Sequence, residues 1–259
     1  MSERLLVTRS EGVKRIIFNA PERRNAIDSD SFARFHDAVV ESAQDGTRVL
    51  ILTGAGDAFC SGADLQVGLP GGASGDVATL LRTTVAPAVK ALREMPIPVI
   101  ARVHGVAAGI GCSFALAADL RIASHDARFS LGFARIGLVP DGGATWMLPR
   151  LIGHAKAFEM MVTGDLIDAA EAHRLGLVNA VVDAVRLDET VDAWTARLLQ
   201  APALAVAAIK RALHYGQTHT LTESLDLEAL LQQTCYESDD FREGVAAFRE
   251  KRQAKFQGR

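Results

Sequence analysis

The sequence predicts an α/β domain that ends in an all-helical tail. Up to about Trp146, short strand-like apolar runs alternate with helical stretches, the pattern of a sheet covered by helices. Beyond it the apolar residues recur at helical spacing, with one short apolar run at 178–182. No linker divides the two parts and no sequence repeat is evident, so the tail reads as an appendage and not as a second independent domain.

Residues 5–8 and 13–18 read as strands around a Glu11-Gly12 turn. Pro21-Glu22-Arg23-Arg24-Asn25-Ala26 is a loop. Asp28 or Ser29 caps a helix that puts Phe32, Phe35 and Val39 on one face. Residues 48–53 form a buried strand that ends at Gly54-Ala55-Gly56. Residues 69–75 are rich in Pro and Gly and are expected to be a mobile loop. Asp76 starts a long amphipathic helix whose core face is Leu80, Leu81, Val85, Val89 and Leu92. Pro96-Ile97-Pro98 ends it, and residues 99–103 make the next strand. A helix follows at 110–117, then short strands at 120–123 and 128–129. The tail helices are expected at about 189–200, 203–216, 221–235 and 239–251.

Composition narrows the function. The chain is 49% hydrophobic and 23% charged, ordinary for a soluble globular protein. A net charge of -3 and a pI near 6.2 argue against a nucleic-acid surface. Cys60, Cys112 and Cys235 are an odd number without close pairing, which argues against a disulfide framework. No apolar run approaches the roughly 20 residues of a membrane span, and Met1-Ser2-Glu3-Arg4 lacks a signal-peptide core. A cytoplasmic protein is expected. The histidines show no metal-ligand spacing, and neither HExxH nor a Walker A loop occurs. No metal and no nucleotide cofactor is expected.

The chemistry is carried by two small-residue turns. One is Ala58-Phe59-Cys60-Ser61-Gly62-Ala63-Asp64-Leu65, and the other runs from Val103-His104-Gly105 to Gly109-Ile110-Gly111-Cys112. Each follows a strand and can open into a helix, so each can aim free backbone N–H groups at one developing oxyanion. A carbonyl oxygen gains that charge when the carbon beside it loses a proton. Removing one such donor typically costs about 3–4 kcal/mol. The alternative is that the glycines only make tight turns.

Together with Pro21…Asn25-Ala26 and Leu138-Val139-Pro140-Asp141-Gly142-Gly143, the two turns resemble the crotonase superfamily, the enoyl-CoA hydratases and isomerases. The stretch from Glu243-Gly244-Val245 to Lys251-Arg252 is similar to that family's C-terminal signature. The resemblance implies a crotonase-like ββα spiral over residues 1–200 and a C-terminal helical trimerisation region over 201–259. It implies homotrimers or homohexamers, an acyl-CoA substrate, and no cofactor beyond the coenzyme A that the substrate carries. By position, Ala63 and Ile110 supply the oxyanion-hole N–H groups. Coenzyme A and acyl contacts map to Arg24, Ala26, Ala63, Asp64, Leu65, Gly109, Ile110, Phe133 and Ile136. Phe248 and Lys251 would reach the adenosine end, in the same or a neighbouring subunit.

Hydratases of that family use two glutamates. Ser113 and Phe133 stand at those positions here, and neither can act as a carboxylate base. The acid left in the region is Asp141, where crotonase-fold isomerases often carry their working carboxylate. Apolar neighbours such as Ile136, Val139 and Trp146 would raise its pKa. Its structural alternative is to cap the helix that starts near Gly143. Ser113 can bond substrate or its own helix. Cys60 and Cys112 read as buried packing, and His104 as a structural hydrogen-bonder. Asp64 reads as support for the CoA loop, and Arg23 and Arg24 as partners of its phosphates or as solvated side chains. The motifs around Gly105 and Val139 look closest to the phenylacetate-pathway epoxyphenylacetyl-CoA isomerases. The leading expectation is therefore an acyl-CoA isomerase. The alternatives are a hydratase with relocated acids and a non-catalytic acyl-CoA-binding paralogue.

Overall fold

The computed structural model describes residues 3–66 and 76–259. The predicted loop at 69–75 lies outside the described residues.

Strands β1 (Leu5–Ser10) and β2 (Val13–Phe18) form an antiparallel hairpin. Its turn residues, Glu11 and Gly12, both have positive φ, the backbone that tight hairpins require. Helix α1 (Ser29–Ser42) is capped by Asp28, which accepts the Ser31 N–H, and it buries Phe32, Phe35 and Val39 as predicted. Strand β3 (Val49–Gly54) is buried along its whole length.

The next helical stretch departs from the expectation. It is α2 (Val77–Leu80), one π turn (Leu81–Val85) and α3 (Ala86–Glu94) in succession. Ala86 N–H donates to Leu81 O, five residues back. Pro87 explains the widening, because it has no N–H to give to the turn before it and its ring crowds that turn. Leu80 and Leu81 are consequently only part-buried. Val85 and Leu92 still face the core.

Strands β4 (Val99–Val103) and β5 (Val106–Ala108) lead into α4 (Ile110–Ala117), which is buried throughout. Strands β6 (Leu120–Ser124) and β7 (Arg128–Ser130) follow. The chain then becomes helical: α5 (Ala144–Ile152), α6 (His154–Thr163), a two-residue strand β8 (Ile167–Asp168) that the sequence did not reveal, and α7 (Ala169–Arg174). The expected strand at 178–182 is shorter, β9 (Ala180–Val182), because Val178 is buried in the core as part of the approach to it. The tail is α8 (Leu187–Gln200), α9 (Ala203–Gly216), α10 (Leu221–Tyr236) and α11 (Asp239–Glu250).

Six strands form one sheet in the order β1-β2-β3-β4-β6-β9, and β5-β7-β8 form a second. From β2 onward the large sheet is parallel. The chain winds in circuits that each leave a long strand in the first sheet and a short one in the second. The pairs are β3 with an isolated bridge at Cys60, β4 with β5, and β6 with β7. This is a geometric repeat without a sequence repeat, since backbone pairing needs only strand-forming residues. An aromatic cluster of Phe18, Phe35 and Phe114 locks α4 against α1, with ring centroids of Phe35 and Phe114 4.4 Å apart. Among the described residues, no helix is long and apolar enough to cross a membrane.

Candidate active site

The two turns meet through their backbones. Cys60 N–H donates to Val106 O at 3.0 Å, and Ala108 N–H donates to Cys60 O at 2.9 Å. Ile27 fixes the first turn from the other side, giving its N–H to Gly62 O and taking one from Asp64. Gly111 is required where the turns touch: a Cβ there would sit 2.4 Å from Cys60 O. The N–H groups of Ala63 and Ile110 take no part in the backbone bonds that join the turns and have no acceptor among the described residues. Ile110 opens α4 with no side-chain cap, so the positive end of the helix dipole reinforces its N–H. Ala63 and Ile110 line the same cavity of about 270 Å³. The turns are in contact there, since a Cβ on Gly62 would lie 3.7 Å from Ile110 N.

Asp141 lines that cavity and is the only acid among its described wall residues. Residues 67–75 contain no acid either. The Pro140-Asp141-Gly142-Gly143 turn is pressed onto α4. Ser113 Oγ donates to the Asp141 carbonyl at 2.9 Å, and a Cβ on Gly142 would come within 2.4 Å of Ile110 Cδ1. Among the described residues, Asp141 Oδ1 is buried with no hydrogen-bond partner. Burial pushes the Asp141 carboxyl up to about 6, opposed only by its own backbone amide. Helix capping does not explain this residue. The cap of α5 is Gly143, with no side-chain bond to the helix. Val139, one of the apolar neighbours expected to desolvate it, is 73% exposed.

The hydratase positions hold no acid in space. Ser113 is fully buried and spends its hydroxyl on the Asp141 turn. Phe133 lines the cavity, its ring tip 3.9 Å from where a Gly109 Cβ would be. Burial pushes both the Cys60 and Cys112 thiols up to about 12, so neither is a ready nucleophile. His104 is structural: Arg102 donates to its Nδ1 at 2.8 Å, and its Nε2 faces Gly56 O at 3.0 Å.

Leu65, Gly109 and Ile136 join Phe133 on the cavity wall. Asp64 lies beneath the wall, buried and ion-paired to Arg4 and Arg23 at 3.1 and 3.0 Å. Arg23 therefore has its charge matched within the protein, while Arg24 is exposed in left-handed backbone. Arg24 and Ala26 flank the first turn without lining the cavity. Phe248 and Lys251 do not line it. Phe248 is 85% exposed and borders a separate hollow with Phe256. Sequence reasoning missed Phe32, Val77 and Leu80 as wall residues. Helical spacing marks such side chains as buried, and does not say whether they face a core or a cavity.

The adjoining turns thus bring the Ala63 and Ile110 N–H groups to the cavity that the half-buried Asp141 lines. Residues 8–259 match the family model described as enoyl-CoA hydratase/isomerase. The chain is 43% identical over 252 residues to a "probable enoyl-CoA hydratase" of Rhodobacter capsulatus, covering 96% of each chain. It is 37% identical to the "1,2-epoxyphenylacetyl-CoA isomerase" of Escherichia coli over the full length of both. The crystal structure of a putative enoyl-CoA hydratase from Streptomyces coelicolor superposes with a TM-score of 0.94 at 38% identity, covering 99% of this chain and 95% of that one. The chain belongs to the enoyl-CoA hydratase/isomerase family and has its crotonase fold.

Proposed function

We propose that the protein is an acyl-CoA isomerase, and that the observation carrying this reading is Asp141: a lone, half-buried carboxylate on the cavity that holds the Ala63 and Ile110 N–H groups. The thioester carbonyl oxygen sits between those two N–H groups. The Asp141 carboxylate takes a proton from C2 of a 3-enoyl thioester, and the electron pair moves onto the carbonyl oxygen. Asp141, now a neutral acid, returns the proton at C4, which gives the 2-enoyl thioester with no atom gained or lost. Enolate stabilisation would serve an epoxyphenylacetyl-CoA substrate equally, the chemistry named for the Escherichia coli relative. The coenzyme A portion belongs to the substrate, and no further cofactor enters. With this reading go a trimer or a dimer of trimers built on residues 201–259, and adenosine contacts from Phe248 and Lys251.

The test is solvent exchange. In deuterated water, the enzyme should label enoyl and saturated acyl-CoA thioesters at the α-carbon. Asp141→Asn should lower isomerisation by about 10²–10⁴-fold, the usual contribution of a positioned base, while retaining affinity for CoA thioesters. Unchanged turnover in that variant would remove Asp141 from the mechanism. The name of the Rhodobacter capsulatus relative favours a second reading, hydration with Asp141 as the one acid–base group. Faster hydration of crotonyl-CoA than double-bond migration would select it.

A further inference from the structure

Asp141 stands between two hollows. The second, of about 490 Å³, opens behind it and shares Leu81 and Val85 with the first. Near Asp141 its walls are apolar, from Val89, Trp146 and Met147. Elsewhere they carry two cations, Arg93 and Lys90, beside His214 and against one further acid, the exposed Glu94.

Arg93 is the unusual member. It is half-buried, and no ion pair forms with it among the described residues. Its side chain makes one long hydrogen bond, 3.5 Å to Gln217 Oε1, and its guanidinium lies 5.7 Å from the Trp146 ring centre. Asp119 is the carboxylate that acts on it through space. Asp119 is already engaged by Lys210 at 2.7 Å and by Val99 N–H at 2.8 Å. Burial first, and then the Arg93 charge, pushes His214 down to about 4. Arg93 also adds to the downward shifts of Lys210 and Arg121, where burial again dominates. Several basic groups thus share one carboxylate in poorly solvated surroundings, and a further anion there would be stabilised.

We propose that this second chamber receives the far end of the acyl group and that Arg93 binds a carboxylate there, making ω-carboxyacyl thioesters of coenzyme A the preferred substrates. The proposal rests on the acyl-CoA reading above and adds a specificity residue to it. An acyl chain running past Asp141 would cross the apolar stretch between Val89 and Met147. Its terminal carboxylate would meet the Arg93 fork, with Lys90 as a second cation at the rim.

Binding of saturated thioesters tests this without turnover. Adipoyl-, suberoyl- and sebacoyl-CoA are compared by calorimetry with hexanoyl-, octanoyl- and decanoyl-CoA. At one length or more, the carboxylate-ended thioester should bind about 10- to 100-fold tighter than its methyl-ended counterpart, the usual advantage of a charge-assisted pair. In Arg93→Met that ratio should fall to near one, and Arg93→Lys should keep part of it. Equal or weaker binding of the carboxylate-ended series by the wild type overturns the proposal, whether or not either variant folds. So does an unchanged ratio in folded Arg93→Met. Saturated thioesters cannot isomerise, so loss of the isomerase reading would leave these ratios intact, and loss of the ratios would leave the isomerase reading standing.

Discussion

At the scale of one residue, Asp141 binds its proton more tightly in the folded protein than in the unfolded chain. Burial raises its carboxyl from 3.8 to about 6, and two consequences follow with opposite signs. For catalysis, the base must be ionised, so kcat/KM should climb with pH to about 6 and level off above it. A pH profile flat from 5 to 8 would contradict the assignment. For stability, the group is neutral in both states below its unfolded value and contributes no penalty there. As pH rises from about 4 to 6, the unfolded chain ionises first and folding loses up to about 2–3 kcal/mol. Asp141→Asn is not subject to this penalty. Its melting temperature should match the wild type near pH 4 and exceed it above pH 6, read by thermal melts across that range. In the sequence, the family resemblance and the lack of another acid in the region make this residue the candidate. The sequence could not show that Oδ1 lacks a partner, because that depends on Ser113 and Ile110 holding the turn from another helix.

At the scale of elements, α4 carries the site, and both its ends were legible. Gly109 precedes it at a positive φ, and Arg121 closes its far end by donating to the carbonyls of Ala115, Leu116 and Ala118. The π turn at 81–85 was not legible, since apolar spacing is nearly the same for a helix and for a helix widened by one residue. The wall of the site depends on that turn, which holds Leu81 at both hollows. Gly111 tests whether the contact between turns sets the oxyanion hole. In Gly111→Ala the new methyl would need the space of Cys60 O, so the turns must part and Ile110 N–H must move. Turnover should fall by about 10²-fold or more, as for loss of one oxyanion donor, with about 1–3 kcal/mol lost from stability through overpacking. Turnover within threefold of wild type would show that the hole does not need this contact.

At the scale of the whole molecule, the question is what ties the helical tail to the spiral. Sequence showed the tail as helices and gave no sign of its anchor, because Lys210 reads as an ordinary surface lysine on an amphipathic helix. In space it is 7% exposed. Its Nζ donates to Leu92 O at 2.8 Å, to Ile97 O at 3.1 Å and to Asp119 Oδ2 at 2.7 Å. One ammonium thus joins α9 to the end of α3, to the Pro96–Pro98 stop and to the loop before β6. Burial lowers its proton affinity and Asp119 restores part of it, so the cation is kept by its partners and not by water. Lys210→Met fills a similar volume but leaves those two carbonyls without that donor and Asp119 without its counter-charge. Breaking a buried pair from one side costs about 3–5 kcal/mol, and urea denaturation should show a loss of that order. Because the anchor serves the tail, the loss should be local first. Amide exchange should accelerate in α9 and α10 while β3 and β4, buried in the sheet, keep their protection. Adding Asp119→Asn to Lys210→Met should recover part of the stability by removing the unpaired charge. Uniform acceleration across sheet and tail would instead mean that spiral and tail unfold as one unit, and that Lys210 stabilises the whole domain, not a joint within it.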